Sequence, residues 1–278
     1  MHPYVIADVF TDTALEGNPL AVFTGGQDIP AVRLQSVARE MNLSETVFVL
    51  PAERGGHARI RIFTPAAELP FAGHPTLGTA IVLAQERGLA AITLETGAGD
   101  VRVTLERTGD QVVSGQMAQP IPSWQPYDRA AELLAALGVR VSALPIEIYQ
   151  NGPRHVYVAL DTEAQVAAVK PDLSAVAALG TMGVSTFAGA GDNWKTRVFC
   201  PGMGVPEDPA TGSAAGPLAV HLARHGRTEF GQRIRISQGA EIGRPSTLYA
   251  QVHGHGDQID QVLVAGSAVV VARGELTI

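Results

Sequence analysis

Short apolar runs rich in β-branched and aromatic residues recur along the whole chain, and each predicts a strand. In the first part they are Tyr4 to Phe10, Ala21 to Thr24, Thr46 to Leu50, Arg59 to Phe63, Ile92 to Leu94 and Val101 to Leu105. In the second they are Glu147 to Tyr149, His155 to Leu160, Thr196 to Phe199, Ile234 to Ser237, Leu248 to His253 and Ala268 to Ala272. Pro30 to Met41 and Arg129 to Leu137 carry apolar residues at helical spacing with polar faces, which predicts two surface helices. Two other runs differ. TLGTAIVLA follows Gly73-His74-Pro75, and AGPLAVHLA follows Gly212-Ser213-Ala214. Both are small and apolar on nearly every side, which predicts a buried helix for each. A sheet wrapped round one buried helix, built twice, is the simplest architecture for this pattern.

The two parts also resemble each other. Arg61-Ile62-Phe63-Thr64-Pro65 matches Arg197-Val198-Phe199-Cys200-Pro201 at an offset of 136. The two glycine-led helix starts match at 139, and Thr96-Gly97-Ala98-Gly99 matches Gln238-Gly239-Ala240-Glu241 at 142. NLSETVFVL (Asn42 to Leu50) resembles NGPRHVYVA (Asn151 to Ala159) more loosely. The first three marks, in the same order at near-constant offset, predict two structural halves. The proline-rich segment Gln119 to Tyr127 is the expected link. The halves are read as residues 1–124 and 125–278, with the last strand free to return to the first half.

Composition narrows the class. The 278 residues suffice for two domains or one large one. With 46% hydrophobic and 17% charged residues the chain is not disordered. The formal charge of −7, without a Lys/Arg block, gives no support for a nucleic-acid or membrane partner. Cys200 is the one cysteine, so an internal disulfide, a Cys-rich zinc site and a two-thiol mechanism in one chain are excluded. The start, MHPYVIADVF, has no signal-peptide pattern, and no apolar run reaches the ~18 residues of a membrane span. The expected location is the cytoplasm.

Candidate chemistry gathers at the two buried helix starts. Pro75 suits the first helical position and Ser213 an N-cap, while Pro217 requires its helix to start close to Ser213. The first N–H groups of a helix have no partner inside it, and glycine lets a ligand approach them. Two such ends facing each other across two halves would form a cleft for a carboxylate or phosphate. Otherwise the glycines only allow tight turns. Glu68 and His74 flank the first start; Glu207, Asp208 and Ser213 flank the second. Glu45 borders an apolar strand, where desolvation would raise its pKa and suit it to proton transfer. Otherwise it caps a turn or pairs with a surface Arg.

Other signals fail. His221 and His225 are four apart, but residue 222 is Leu, so HExxH is absent and they read as helix-face histidines. His253 and His255 lie in a Gly-rich stretch that reads as a hairpin. FAGAGDN lacks the third dinucleotide-site glycine, and neither a P-loop nor a GxSxG elbow occurs.

LEGNPLAVF (Leu15 to Phe23), NLSETVFVL, RIFTPAAELPFAGHPTLGTA (Arg61 to Ala80) and EDPATGSAAGPLA (Glu207 to Ala219) together resemble the PhzF phenazine-biosynthesis family. The resemblance covers the whole chain. It implies an α+β, diaminopimelate epimerase-like fold of two pseudo-symmetric halves, each a barrel-like sheet round a central helix. PIEIYQNGPRHVYVAL (Pro145 to Leu160), TEFGQ (Thr228 to Gln232) and QGAEIGRPS (Gln238 to Ser246) resemble the phenazine-pathway members in particular. That implies isomerisation of trans-2,3-dihydro-3-hydroxyanthranilate to an aminoketone. By resemblance Glu45 is the catalytic carboxylate, accompanied by His74 and Asp208, with Ser213 as a further polar contact. Gly73 and Gly212 would receive the substrate carboxylate, and Asn18 and Ser44 would line the pocket. No metal or cofactor is implied, and the resemblance suggests a homodimer. The rival readings are an isomerase or epimerase of another small amino or hydroxy acid, and a non-catalytic small-molecule binder on the same scaffold.

Overall fold

A computed structural model describes all 278 residues. Its contacts divide the chain into two units, Met1–Ala118 with Ala265–Ile278, and Gln119–Val264.

The first unit contains β1 (His2–Val9), β2 (Asn18–Phe23), α1 (Leu34–Met41), β3 (Glu45–Leu50), β4 (Ala58–Phe63), β5 (Glu68–Leu69), α2 (Gly73–Arg87), β6 (Ala91–Thr96), β7 (Gly99–Thr108) and β8 (Gln111–Gln119). The chain's last strand, β18 (Ala268–Leu276), belongs here too. Pairing runs β18–β1–β2–β3–β4–β6–β7–β8, parallel at β2–β3 and β4–β6 and antiparallel elsewhere. The two-residue β5 branches from β4. Helix α2 touches β1, β2, β3, β6, β7 and β18, so the sheet curls round it. Every residue from Gly73 to Ala84 is buried. On the other face of the sheet, Leu34, Val37 and Ala38 of α1 pack on Ala21, Phe23 and Phe48. Strands covered on both faces need no polar positions, which is why Val47 to Val49 and Leu20 to Phe23 are apolar without a break.

The second unit contains β9 (Ser123–Pro126), α3 (Ala130–Leu137), β10 (Glu147–Gln150), β11 (Arg154–Ala159), α4 (Glu163–Ala168), α5 (Leu173–Ala178), β12 (Gly183–Ala190), β13 (Asn193–Cys200), β14 (Val205–Asp208), α6 (Gly212–Arg224), β15 (Arg233–Gln238), β16 (Ser246–His255) and β17 (Gln258–Gly266). Pairing runs β9–β10–β11–β12–β13–β15–β16, parallel at β11–β12 and β13–β15, with β14 branching from β13. This is the ladder order of the first unit. The buried stretch Gly212–Ala223 of α6 matches that of α2. Outside the sheet, Leu133 and Leu137 of α3 and Val176 of α5 pack on Val156, Val158 and Val184.

The duplication therefore extends to pairing. It also extends to an ion pair. Arg61 grips Glu68 through two bonds of 2.7 Å, and Arg197 grips Glu207 through two of 2.8 Å. In each case the guanidinium also lies over the strand's own phenylalanine, Phe63 or Phe199. Arginine, phenylalanine and the later glutamate are thus one structural device, repeated.

Several sequence expectations need correction. The division falls after Ala118 rather than after Trp124, because Ser123–Pro126 is a strand paired to Glu147–Gln150 and goes with the second unit. NLSETVFVL is not the counterpart of NGPRHVYVA: β11 occupies the ladder place of β2, and β12 that of β3. The helix expected from Pro30 begins at Leu34, after a 3-10 turn at Ala31–Arg33. Pro75 is the third residue of α2, still in the first turn, where its missing N–H leaves no helical carbonyl unpaired. Ser213 is the second residue of α6 and Thr211 holds the N-cap position.

Candidate active site

In the first unit, Asn42 ends α1 in the left-handed region at φ 50°, and the chain turns through partly buried Ser44 into β3. Glu45 is thereby the first residue of a strand that is buried from Thr46 to Val49. Its register partner on β2 is Leu20, two residues beyond fully buried Asn18. Glu45 Oε2 lies 3.3 Å from Nδ1 of His74, the second residue of α2, and their side chains are 16% and 4% exposed. Burial pushes the His74 imidazole down to about pKa 3, against the opposing pull of the Pro19 carbonyl. The His74 imidazole is therefore uncharged at neutral pH, and its contact with Glu45 is not an ion pair. A carboxylate in that setting can take a proton and give it back.

The helix starts are left open by their own sequences. Ala72 stands at the N-cap of α2, and Thr211 at that of α6; neither side chain caps its helix. The dipole and first N–H groups at Gly73 and Gly212 suit an anion.

In the second unit, Asp208 ends β14 and is buried. It accepts a hydrogen bond of 2.6 Å from the Thr211 hydroxyl. Gln238 ties this turn down: its amide donates to the Asp208 carbonyl at 2.7 Å and to Thr211 Oγ1 at 2.9 Å, while its oxygen accepts the Thr211 N–H. Ser213 Oγ lies 3.0 Å from His155 Nε2. Asn151 donates to the Ser213 carbonyl at 3.0 Å and Tyr157 to that of Ala214 at 2.7 Å. Pro217 has no N–H to offer the Ser213 carbonyl four residues earlier, so Asn151 supplies the donor the helix lacks.

The structure thus brings Glu45 to His74, and Asp208 to the Gly212–Ser213 start. Glu68 and Glu207, grouped by sequence with the helix starts, are instead held by Arg61 and Arg197. Thr211, Gln238, Asn151 and His155 were not singled out by sequence reasoning. Gln238 does open one of the repeat marks, and Asn151 and His155 stand in NGPRH.

Of the two helix-face histidines, His221 points into the core, and His225, 20% exposed, stands at the C-cap of α6. His221 is fully buried against Tyr149, Tyr157 and Phe187, and both imidazoles contact Glu147 Oε2, at 3.2 and 3.1 Å. The ligand atoms of Glu147, His221 and His225 lie within 4.8 Å of one another, a spacing able to hold a metal ion. Arg224 Nη1, however, is 2.8 Å from the same Glu147 oxygen and Nε is 2.8 Å from Asp257. A fixed cation already faces the carboxylate, so the cluster reads as a structural network.

Comparison with known proteins places these features. The model of the family PhzC-PhzF, phenazine biosynthesis-like proteins, matches residues 7–274. The chain belongs to this family. It is 52% identical, over the full length of both chains, to a trans-2,3-dihydro-3-hydroxyanthranilate isomerase of Pseudomonas chlororaphis. A solved structure from Pseudomonas aeruginosa, described as a predicted epimerase, matches with a TM-score of 0.84 at 31% identity, covering 100% of each chain. A hydroxyproline epimerase from Agrobacterium vitis shares the fold alone, with a TM-score of 0.67 at 14% identity over 98% of this chain and 91% of that one. The PhzF fold is α+β and diaminopimelate epimerase-like, as the repeated pairing pattern and the two buried helices require. No helix is long and apolar enough to cross a membrane.

Proposed function

We propose that the chain is an isomerase that converts trans-2,3-dihydro-3-hydroxyanthranilate to 6-amino-5-oxocyclohex-2-ene-1-carboxylate by acid–base chemistry. The observation that carries this reading is the Glu45–His74 pair: a carboxylate at the end of a buried strand, 3.3 Å from a neutral imidazole. Full-length identity to an isomerase of that substrate supports it.

Glu45, as carboxylate, removes the proton from C3, the ring carbon bearing the hydroxyl. The C3–H electron pair moves into the ring and the diene shifts. Glu45, now protonated, returns a proton at the far end of the conjugated system. The enol left at C3 loses its O–H proton and gains one on carbon, giving the ketone with no net change in atoms. His74 steadies Glu45 and serves the tautomerisation with Asp208. Asn18, Ser44, Gly73, Gly212 and Ser213 are the substrate contacts of this reading, and the N–H groups left open at a glycine-led helix start suit the substrate carboxylate. A positioned acid–base group contributes roughly 10²–10⁴ in rate. Glu45→Gln is expected to lose turnover by that factor and keep ligand binding. Full activity in Glu45→Gln would remove Glu45 from the mechanism.

We also propose that the protein works as a cytoplasmic homodimer. Family resemblance supports this, as do Val269, Val270 and Val271 of β18, none of them buried. Light scattering at micromolar concentration is expected to give twice the chain mass; the single chain mass would reject it.

A further inference from the structure

In both units the second residue of the buried helix meets a side chain from the sheet. In the first unit His74 meets Glu45, the opening residue of β3, which pairs in register with Leu20 on β2. The same ladder place in the second unit is Gly183, the opening residue of β12, which pairs with His155 on β11. Gly183 has no side chain to present, and the His155 ring takes the space: a Cβ on Gly183 would stand 2.5 Å from His155 Nδ1. From there His155 Nε2 reaches Ser213 Oγ at 3.0 Å. The second unit thus holds an imidazole–hydroxyl pair where the first holds a carboxylate–imidazole pair.

We propose that His155 is a positioning residue that donates its Nε2–H to Ser213 Oγ and so commits the Ser213 hydroxyl proton to the substrate carboxylate. This rests on the reading of Ser213 as a substrate contact. His155 is 1% exposed and its Nδ1 has no hydrogen-bond partner. An imidazolium would bury a charged N–H at Nδ1 with nothing to accept it. Burial independently drives the ring neutral, down to about pKa 4. Two neutral tautomers remain. With the proton on Nδ1, a buried N–H would have no acceptor, and orphaned buried N–H groups are rare. With the proton on Nε2, that N–H is satisfied by Ser213 Oγ, and only a lone pair is left without a partner. Ser213 then accepts from His155, and its own proton must go elsewhere. The backbone beneath it is fixed, because Asn151 and Tyr157 hold the Ser213 and Ala214 carbonyls. Ser213 is therefore left with a hydroxyl proton to donate, matched to an anionic oxygen.

Two measurements test this. Long-range proton–nitrogen correlation spectra of protein carrying heavy-nitrogen histidine identify the tautomer, with His155 assigned by the signals lost in His155→Gln. Pyrrole-type Nε2 and pyridine-type Nδ1, unchanged from pH 8 to pH 5, are expected. A pyrrole-type Nδ1, or an imidazolium spectrum, overturns the proposal. Second, calorimetry reads affinity for 3-hydroxyanthranilate, an aromatic analogue with the same carboxylate. His155→Leu and Ser213→Ala are each expected to weaken binding roughly tenfold, the loss of one hydrogen bond to a charged group. The double variant is expected to be no weaker than either, and His155→Gln, whose amide keeps a donor, to recover most of the affinity. Additive losses, in variants whose circular dichroism matches wild type, overturn the positioning role. If wild-type protein neither binds the analogue nor turns over the substrate, the substrate assignment fails, and the tautomer spectrum alone decides the direction of the His155–Ser213 bond.

Discussion

Glu45 sits where one residue changes the character of a strand. Its neighbours Thr46 to Val49 are buried, and its own side chain keeps 16% exposure beside an imidazole that burial has discharged. His74 and His155 are both neutral for this reason, at about pKa 3 and 4. The consequence for stability has a definite sign. Each imidazole binds a proton more readily unfolded, near pKa 6.5, than folded, so stability is full above pH 6.5 and falls as pH drops towards the folded values. Glu147, whose contacts with His221, His225, Tyr149 and Arg224 outweigh its desolvation and depress its pKa, adds a loss in the same direction below the ordinary carboxylate range. Urea unfolding at pH 4.5 is expected to show a loss on the order of 2–3 kcal/mol per buried imidazole relative to pH 7. An unchanged midpoint between pH 7 and 4.5 would contradict the burial argument. Apart from the family resemblance, Glu45 and His74 stand out in the sequence only as polar residues against apolar runs. That pattern says a group is near the core but not what it touches, and His155, one histidine in an apolar strand, gave no sign that its ring faces a glycine.

At the scale of elements, the two buried helices show what their composition is for. Gly78 lies where α2 crosses the sheet, and a Cβ there would meet Val9 Cγ2 at 2.6 Å and Leu20 Cδ2 at 2.8 Å. Gly78→Ala is expected to destabilise by roughly 1–3 kcal/mol through overpacking, read from the denaturation midpoint. Stability equal to wild type would mean the helix can shift. In α6, Pro217 removes the donor owed to the Ser213 carbonyl and Asn151 replaces it at 3.0 Å. Asn151→Ala is expected to cost about 1–3 kcal/mol by leaving that carbonyl buried and unpaired. Pro217→Ala, which restores the helical N–H, is expected to recover most of it in the double variant. Losses that simply add would show that the two residues do not serve one carbonyl. The sequence made both helices legible as buried, because their residues are small and apolar all round. It hid the strands Gln111–Gln119 and Gly183–Ala190, whose glycines, serines and glutamines weaken the strand pattern while packing and pairing impose it.

For the whole molecule, the repeat was the most legible feature, and the reason is physical. The Arg–Phe strand with its later glutamate, and the glycine-led helix, make the same contacts twice, so the same residue types return at near-constant spacing. The looser match between NLSETVFVL and NGPRHVYVA misled because neighbouring parallel strands in such a sheet have the same buried composition; its offset of 109 and the strand pairing separate them. One chemical difference between the halves lies at a single ladder place, a carboxyl side chain at Glu45 and none at Gly183. Glu45 is therefore the residue whose replacement is expected to matter most. The decisive measurement follows the diene absorbance of trans-2,3-dihydro-3-hydroxyanthranilate mixed with wild-type protein or Glu45→Gln, without added metal or nucleotide. Rapid loss with wild type, slowed roughly 10²–10⁴-fold in the variant, is the predicted result. Equal loss with both proteins, or none with wild type, would contradict it.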